Sequence, residues 1–101
     1  MTVRWTARGR NRFATYSDYI AQTFHPGYAD AWEDDVADTV ERISGTPLLG
    51  REAFPGLKRP ELRKLLLHNH RYWLYYRVGK VGIDILSIRH TLMNIDSPCK
   101  L

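Results

Sequence analysis

The sequence has a single cysteine, Cys99, so no disulfide can form within the chain and no cysteine-rich zinc site can be built. The bland reading of Cys99 is an inert thiol near the C-terminal end. No apolar run approaches the ~20 residues needed to span a bilayer. The opening Met1-Thr2-Val3-Arg4-Trp5-Thr6 carries an arginine where a signal peptide would be apolar, so a cytoplasmic address is expected. Repeats, low-complexity stretches and long linkers are missing. So are a phosphate-binding glycine loop, a nucleophile elbow and a helix-turn-helix signature, which argues against sequence-specific DNA recognition by this chain alone.

What remains is 101 residues, 44% hydrophobic and 26% charged, enough for one domain with a core of its own. A single domain is expected over 1–95, followed by a short tail at 96–101. The net charge of +4 hides a strong asymmetry. Residues 1–25 hold four arginines and one aspartate, residues 26–47 hold six acids and one arginine, and residues 48–101 hold ten bases and four acids. Basic ends around an acidic middle favour an acidic partner. Eleven of the fifteen bases are arginine, whose forked guanidinium suits phosphate and carboxylate.

Periodicity supplies the elements. Val3 and Trp5 alternate with Arg4 as a short strand, and Thr6 fits a helix N-cap. Phe13, Tyr16, Ile20 and Phe24 then recur at helical spacing from Ala7 to about Thr23. His25-Pro26-Gly27 breaks that helix. Tyr28, Trp32, Val36, Val40 and Ile43 make the apolar face of a second, up to about Ser44, with Glu33, Asp34, Asp35, Asp38 and Glu41 on its solvated side. Two such helices should pack as an antiparallel hairpin. Residues 45–61 read as an ordered loop in which Leu48, Leu49, Phe54 and Leu57 seek burial. Leu62–Leu67, Tyr72–Val78 and a stretch from Val81 to about His90 read as strands, with Gly79-Lys80 as a tight turn. Alternation puts Tyr72, Leu74 and Tyr76 on one face and Trp73 and Tyr75 on the other. The expected fold is α+β: an N-terminal strand, a two-helix hairpin, and a three-stranded antiparallel meander with the helices on one face.

In this order and spacing the segments Val3-Arg4-Trp5-Thr6, Pro47-Leu48-Leu49-Gly50-Arg51, Leu62-Arg63-Lys64-Leu65, Tyr72-Trp73-Leu74-Tyr75-Tyr76-Arg77-Val78 and Ile83-Asp84-Ile85-Leu86-Ser87-Ile88-Arg89-His90 resemble the RelE/ParE superfamily of toxins from bacterial type II toxin–antitoxin systems. Gly50-Arg51, Leu62-Arg63 and Ile88-Arg89-His90 are closer to the ParE side. The chain departs from that side after the histidine, where Thr91-Leu92-Met93-Asn94 replaces the usual arginine and aspartate. The resemblance implies a plasmid-stabilization-type toxin that poisons DNA gyrase by contact. It also implies an antitoxin whose C-terminal segment wraps the toxin in a hetero-oligomer. The RelE branch implies instead a ribosome-dependent messenger-RNA endoribonuclease, and a third reading is an inactive antitoxin-binding module.

For RNA cleavage the residues offered are Arg63, Arg89 and His90. Two guanidiniums would hold a phosphate and an imidazole would move the proton. Lys58, Arg59 and Lys64 would neutralise neighbouring phosphates. The structural alternatives are an arginine paired with Asp84, a His90 that caps the last strand, and an Arg51 that anchors its loop through carbonyls. His68-Asn69-His70 places two imidazoles on one strand face, but no third ligand accompanies them and the segment fits a hairpin turn. No metal and no cofactor are implied.

Overall fold

The computed structural model describes residues 1–68 and 70–101. Strand β1 (Thr2–Trp5) leads into helix α1 (Ala7–Thr23) and helix α2 (Pro26–Gly45). Strands β2 (Arg51–Glu52), β3 (Leu62–Leu66), β4 (Tyr72–Val78) and β5 (Gly82–His90) follow. They form one sheet in the order β1-β5-β4-β3-β2. The expected meander is present as β3-β4-β5, all antiparallel. The sheet as a whole is mixed, because β1 runs parallel to β5 with Val3 opposite Ile83. Among the described residues no helix is long and apolar enough to cross a membrane.

Local chemistry explains the boundaries. Thr6 Oγ1 accepts from Gly9 N at 3.0 Å and donates to Ile85 O at 2.8 Å, so the N-cap also fastens α1 to β5. Gly9 is needed there, since a Cβ would stand 2.7 Å from Ile85 O. Helix α2 starts two residues earlier than expected: Pro26 occupies its first turn and His25 Nδ1 caps Gly27 N at 2.9 Å.

The helices cover one face of the sheet. Their contact is an aromatic cluster in which Trp32 packs against Phe13, Tyr16 and Tyr72. Below it lie Val36, Ile43, Leu74, Tyr76, Ile83, Ile85 and Ile88, all buried. The outer ends of both helical stripes depart from the periodicity reading, for Phe24 is 62% and Tyr28 66% exposed. They sit at the interhelical turn, where an open cleft separates them from Tyr72 at the start of β4. Leu48, Leu49 and Leu57 are likewise exposed, and Phe54 alone of the loop's four large apolar residues is buried.

The opposite face carries a smaller core of Ala53, Phe54, Leu62, Tyr75 and Leu101, with Trp73, Leu86 and Ile95 packed on it. The pairing of β4 with β5 explains how one strand serves both cores. Tyr75 faces Ser87 and Tyr76 faces Ile85, which leaves Leu86 as an extra residue on β5. The bulge keeps Ile83, Ile85 and Ile88 on the helix side despite their uneven spacing. The expected tail lies on the far face: Pro98–Lys100 forms a single 3-10 turn, and Leu101 is 3% exposed.

Asp84 on β5 ties its two neighbouring strands, β1 and β4, together. It binds Arg77 through a short ion pair and Arg4 at 3.1 Å, with its own side chain 12% exposed. The hydrogen bond from Arg77, aided by the charge of Arg4, holds its carboxyl below the usual aspartate range. A group lowered in this way stabilises the fold above its unfolded pKa and loses that contribution as pH falls through the folded value. Asp84→Asn is therefore expected to cost about 1–3 kcal/mol at neutral pH. The gap to the wild type should narrow as pH drops through the carboxylate range, which urea melts at a series of pH values would show.

Candidate functional site

Arg63, Arg89 and His90 are not gathered at one point. Arg63 pairs across β3 with Tyr76 and so lies on the helix side. His90 also lies on that side, opposite Tyr72. Four residue steps on β4 separate these rows, or ~13 Å along the strand. Arg89 pairs with Trp73 and emerges on the far face.

Each is held differently. Arg63 clamps the loop before β2, donating from Nε to Gly50 O at 2.7 Å and from Nη1 to Pro60 O at 3.0 Å. Tyr76 completes the clamp: its hydroxyl donates to Pro47 O at 2.7 Å and accepts from Gly50 N at 2.8 Å. Burial raises the pKa of that phenol. Gly50 is required by crowding, because a Cβ would stand 2.6 Å from Lys64 O and 2.7 Å from the Tyr76 hydroxyl. The loop anchor is thus Arg63, the role expected of Arg51. The Arg51 guanidinium instead lies 4.8 Å above the Trp73 ring centre.

His90 ends β5 as a cap. Its Nδ1 accepts from Leu92 N at 3.1 Å, its ring meets Tyr72 edge-on at 5.0 Å, and its own N donates to the Tyr16 hydroxyl at 3.4 Å. With Nδ1 an acceptor, the neutral imidazole carries its proton on Nε2. The metal reading of His68-Asn69-His70 falls partly on Asn69, which lies outside the described residues. Among the described residues no three His, Cys, Asp or Glu side chains are grouped to hold a metal ion.

Arg89 stands apart. Its side chain is 8% exposed, and its Nε is buried without an acceptor. An unsatisfied buried donor costs ~1–3 kcal/mol, and more when charged. Next to it is Arg12, whose pKa is lowered by burial and by the Arg89 charge. Arg12 Nε donates to the Leu101 main-chain oxygen at 3.0 Å, and Ser87 Oγ donates to the same oxygen at 2.9 Å. Farther across the face, Lys64 Nζ lies 4.4 Å from the Trp73 ring centre, its pKa lowered by burial and by Arg51. Arg12 and Arg8 did not stand out in the sequence as site residues. Their four-residue spacing puts them on one helix face, but which side of the sheet that face meets is a tertiary fact.

The other conspicuous feature is apolar. Trp5, Phe13, Val36, Ala37 and Val40 line an open groove of about 680 Å³ between β1 and the two helices. Arg10 and Glu33 are its polar lining. Only one edge of β1 is hydrogen-bonded within the sheet. Such a groove beside a free strand edge can take up an amphipathic segment from a protein partner.

The chain matches a family model described as the ParE toxin of the type II toxin–antitoxin system parDE over residues 3–95. No curated protein matches it. Among solved structures it is similar to a chain of the chromosomal ParDE toxin–antitoxin system from P. aeruginosa. That likeness has a TM-score of 0.73 at 22% identity, covering 89% of this chain and 95% of the other. Opening strand, helical hairpin, clamped Gly50 loop and closing meander coincide with a match along almost the whole chain, and the protein belongs to the ParE toxin family of type II toxin–antitoxin systems.

Proposed function

We propose that this protein is a toxin that poisons DNA gyrase by contact and is neutralised by an antitoxin bound along the groove at Trp5, Phe13 and Val40. The family match over residues 3–95 carries the reading. The groove supports the antitoxin half of it, being apolar, open and flanked by a strand edge. The arrangement of the basic residues favours contact over RNA cleavage. Arg63 is spent on Gly50 and Pro60, Arg89 faces away from His90, and the His90 Nδ1 is occupied by Leu92 N. Among the described residues, Arg63, Arg89 and His90 do not converge within hydrogen-bond reach of one reacting atom.

The test is a supercoiling assay with purified gyrase and the folded toxin, titrated with and without its antitoxin. Loss of supercoiling with trapped cleaved DNA, reversed by antitoxin, is expected. Unchanged supercoiling beside cleavage of messenger RNA on ribosomes would overturn the reading and return Arg63, Arg89 and His90 to the role of catalytic candidates.

A further inference from the structure

Among the described residues the far face of the sheet holds more cations than acids, and Arg12, Arg51, Lys64 and Arg89 have no ion pair there. Arg12 binds the Leu101 main-chain oxygen that Ser87 also holds, and Arg89 lies two residues along β5 on the same face. Arg51 and Lys64 share the Trp73 ring. A cleft of about 300 Å³ beside the C-terminal segment is walled by Arg8, Arg59 and Arg77. The acids nearby are already engaged: Asp84 by Arg4 and Arg77, Glu61 by Arg59, and Asp96 by Lys100. Burial first, and the neighbouring cation second, lowers the pKa values of Arg12 and Lys64. The buried Arg89 guanidinium, with no acceptor for its Nε, carries a cost of its own. The main-chain oxygen of Leu101 shows that an oxygen acceptor fits between Arg12 and Ser87.

We infer that this face binds the phosphate backbone of duplex DNA, with the accessible Arg51, Lys64 and Arg12 on the phosphates and the buried charge of Arg89 reinforcing the positive field behind them.

Three observations select this ligand. Most apolar side chains of the face are packed in its own small core, and the cleft beside it is walled by Arg8, Arg59 and Arg77, which suits an anion better than an apolar anchor. The groove at Trp5 on the other side is where such anchors would fit. The aromatic rings are also taken: Tyr75 is 3% exposed and stacked on Phe54, and Trp73 carries two cations. Single strands are held by stacking on free aromatic faces. What the surface offers is forked and pointlike positive charge over several strands, which is what backbone contact requires. The inference goes beyond the gyrase reading, and its test contains no gyrase, so the two can fail separately.

The experiment is fluorescence anisotropy of the full chain with a labelled 20-base-pair duplex of arbitrary sequence at several salt concentrations. Binding that weakens steeply with salt and ignores sequence is expected. Arg51→Gln with Lys64→Gln should lower the salt slope by about 1–2 and weaken low-salt binding about tenfold. Arg89→Met separates an arginine that reinforces the field from a structural one. Binding should fall while the melting temperature holds or rises, since an unpaired buried charge is removed. A fall in melting temperature with unchanged DNA binding would overturn the assignment of Arg89. Absence of duplex binding at low salt, or tighter binding of a polyglutamate peptide or a single-stranded RNA of equal charge, would overturn the inference as a whole.

Discussion

Trp32→Ala is expected to lower stability by roughly 3–5 kcal/mol, the range for truncating a buried large aromatic. Trp32 is 4% exposed and stands at the junction of α1, α2 and β4, with its ring against Phe13, Tyr16 and Tyr72. Its removal opens a void that the helices and the sheet cannot both close. Domains of this size have about 5–15 kcal/mol in total, so the variant should melt tens of degrees lower or fail to fold at 37 °C. Trp32→Phe should cost much less. It keeps the ring contacts, and the indole Nε1 has no acceptor to lose. Chemical denaturation of both variants gives the comparison. Equal losses would mean that the size of the ring, not the presence of an aromatic there, is decisive.

The second large effect is expected at Gly50. Gly50→Val should cost roughly 2–4 kcal/mol by combining overpacking with broken hydrogen bonds. The new Cβ would stand 2.6 Å from Lys64 O and 2.7 Å from the Tyr76 hydroxyl, so the loop must lift off β3. Lifting it separates Tyr76 from Gly50 N and Arg63 from Gly50 O. It also shifts Arg51, the next residue, off the Trp73 ring. Gly56 provides the control, for a Cβ there meets nothing within 4 Å. Gly56→Ala should change stability by less than about 0.5 kcal/mol. Similar losses at both glycines would refute the steric account.

Much of the architecture is legible along the chain because its signals are local. Thr6 before a helical stripe, Pro26 after a break, and β-prone runs around Gly79 need only near neighbours to act. The stripes on α1 and α2 name Phe13, Tyr16, Ile20, Trp32, Val36 and Ile43 as core, and each is buried or packed against the core. The alternation on β4 assigns Tyr72, Leu74 and Tyr76 to the helix side and Trp73 and Tyr75 to the other, as the two cores confirm. The family, too, is legible in the order of the short motifs along the chain.

Tertiary structure decided the rest. The parallel pairing of β1 with β5 joins residues some eighty positions apart, and no local pattern encodes it. The bulge at Leu86 arises from β4 and β5 packing on both faces at once. Phe24 and Tyr28 continue their stripes yet remain exposed, on the rim of an open cleft that they share with Arg71 and Tyr72. Arg63, Arg89 and His90 look alike as strand-borne candidates. Only the pleat and the register reveal that one clamps Gly50, one caps a strand end, and one is buried unpaired on the opposite face. Residue type and spacing determined which chemistries this chain contains. Which charges meet, and which lack a partner, is a property of three-dimensional proximity, because Coulomb and hydrogen-bond energies depend on distance in space and not along the chain.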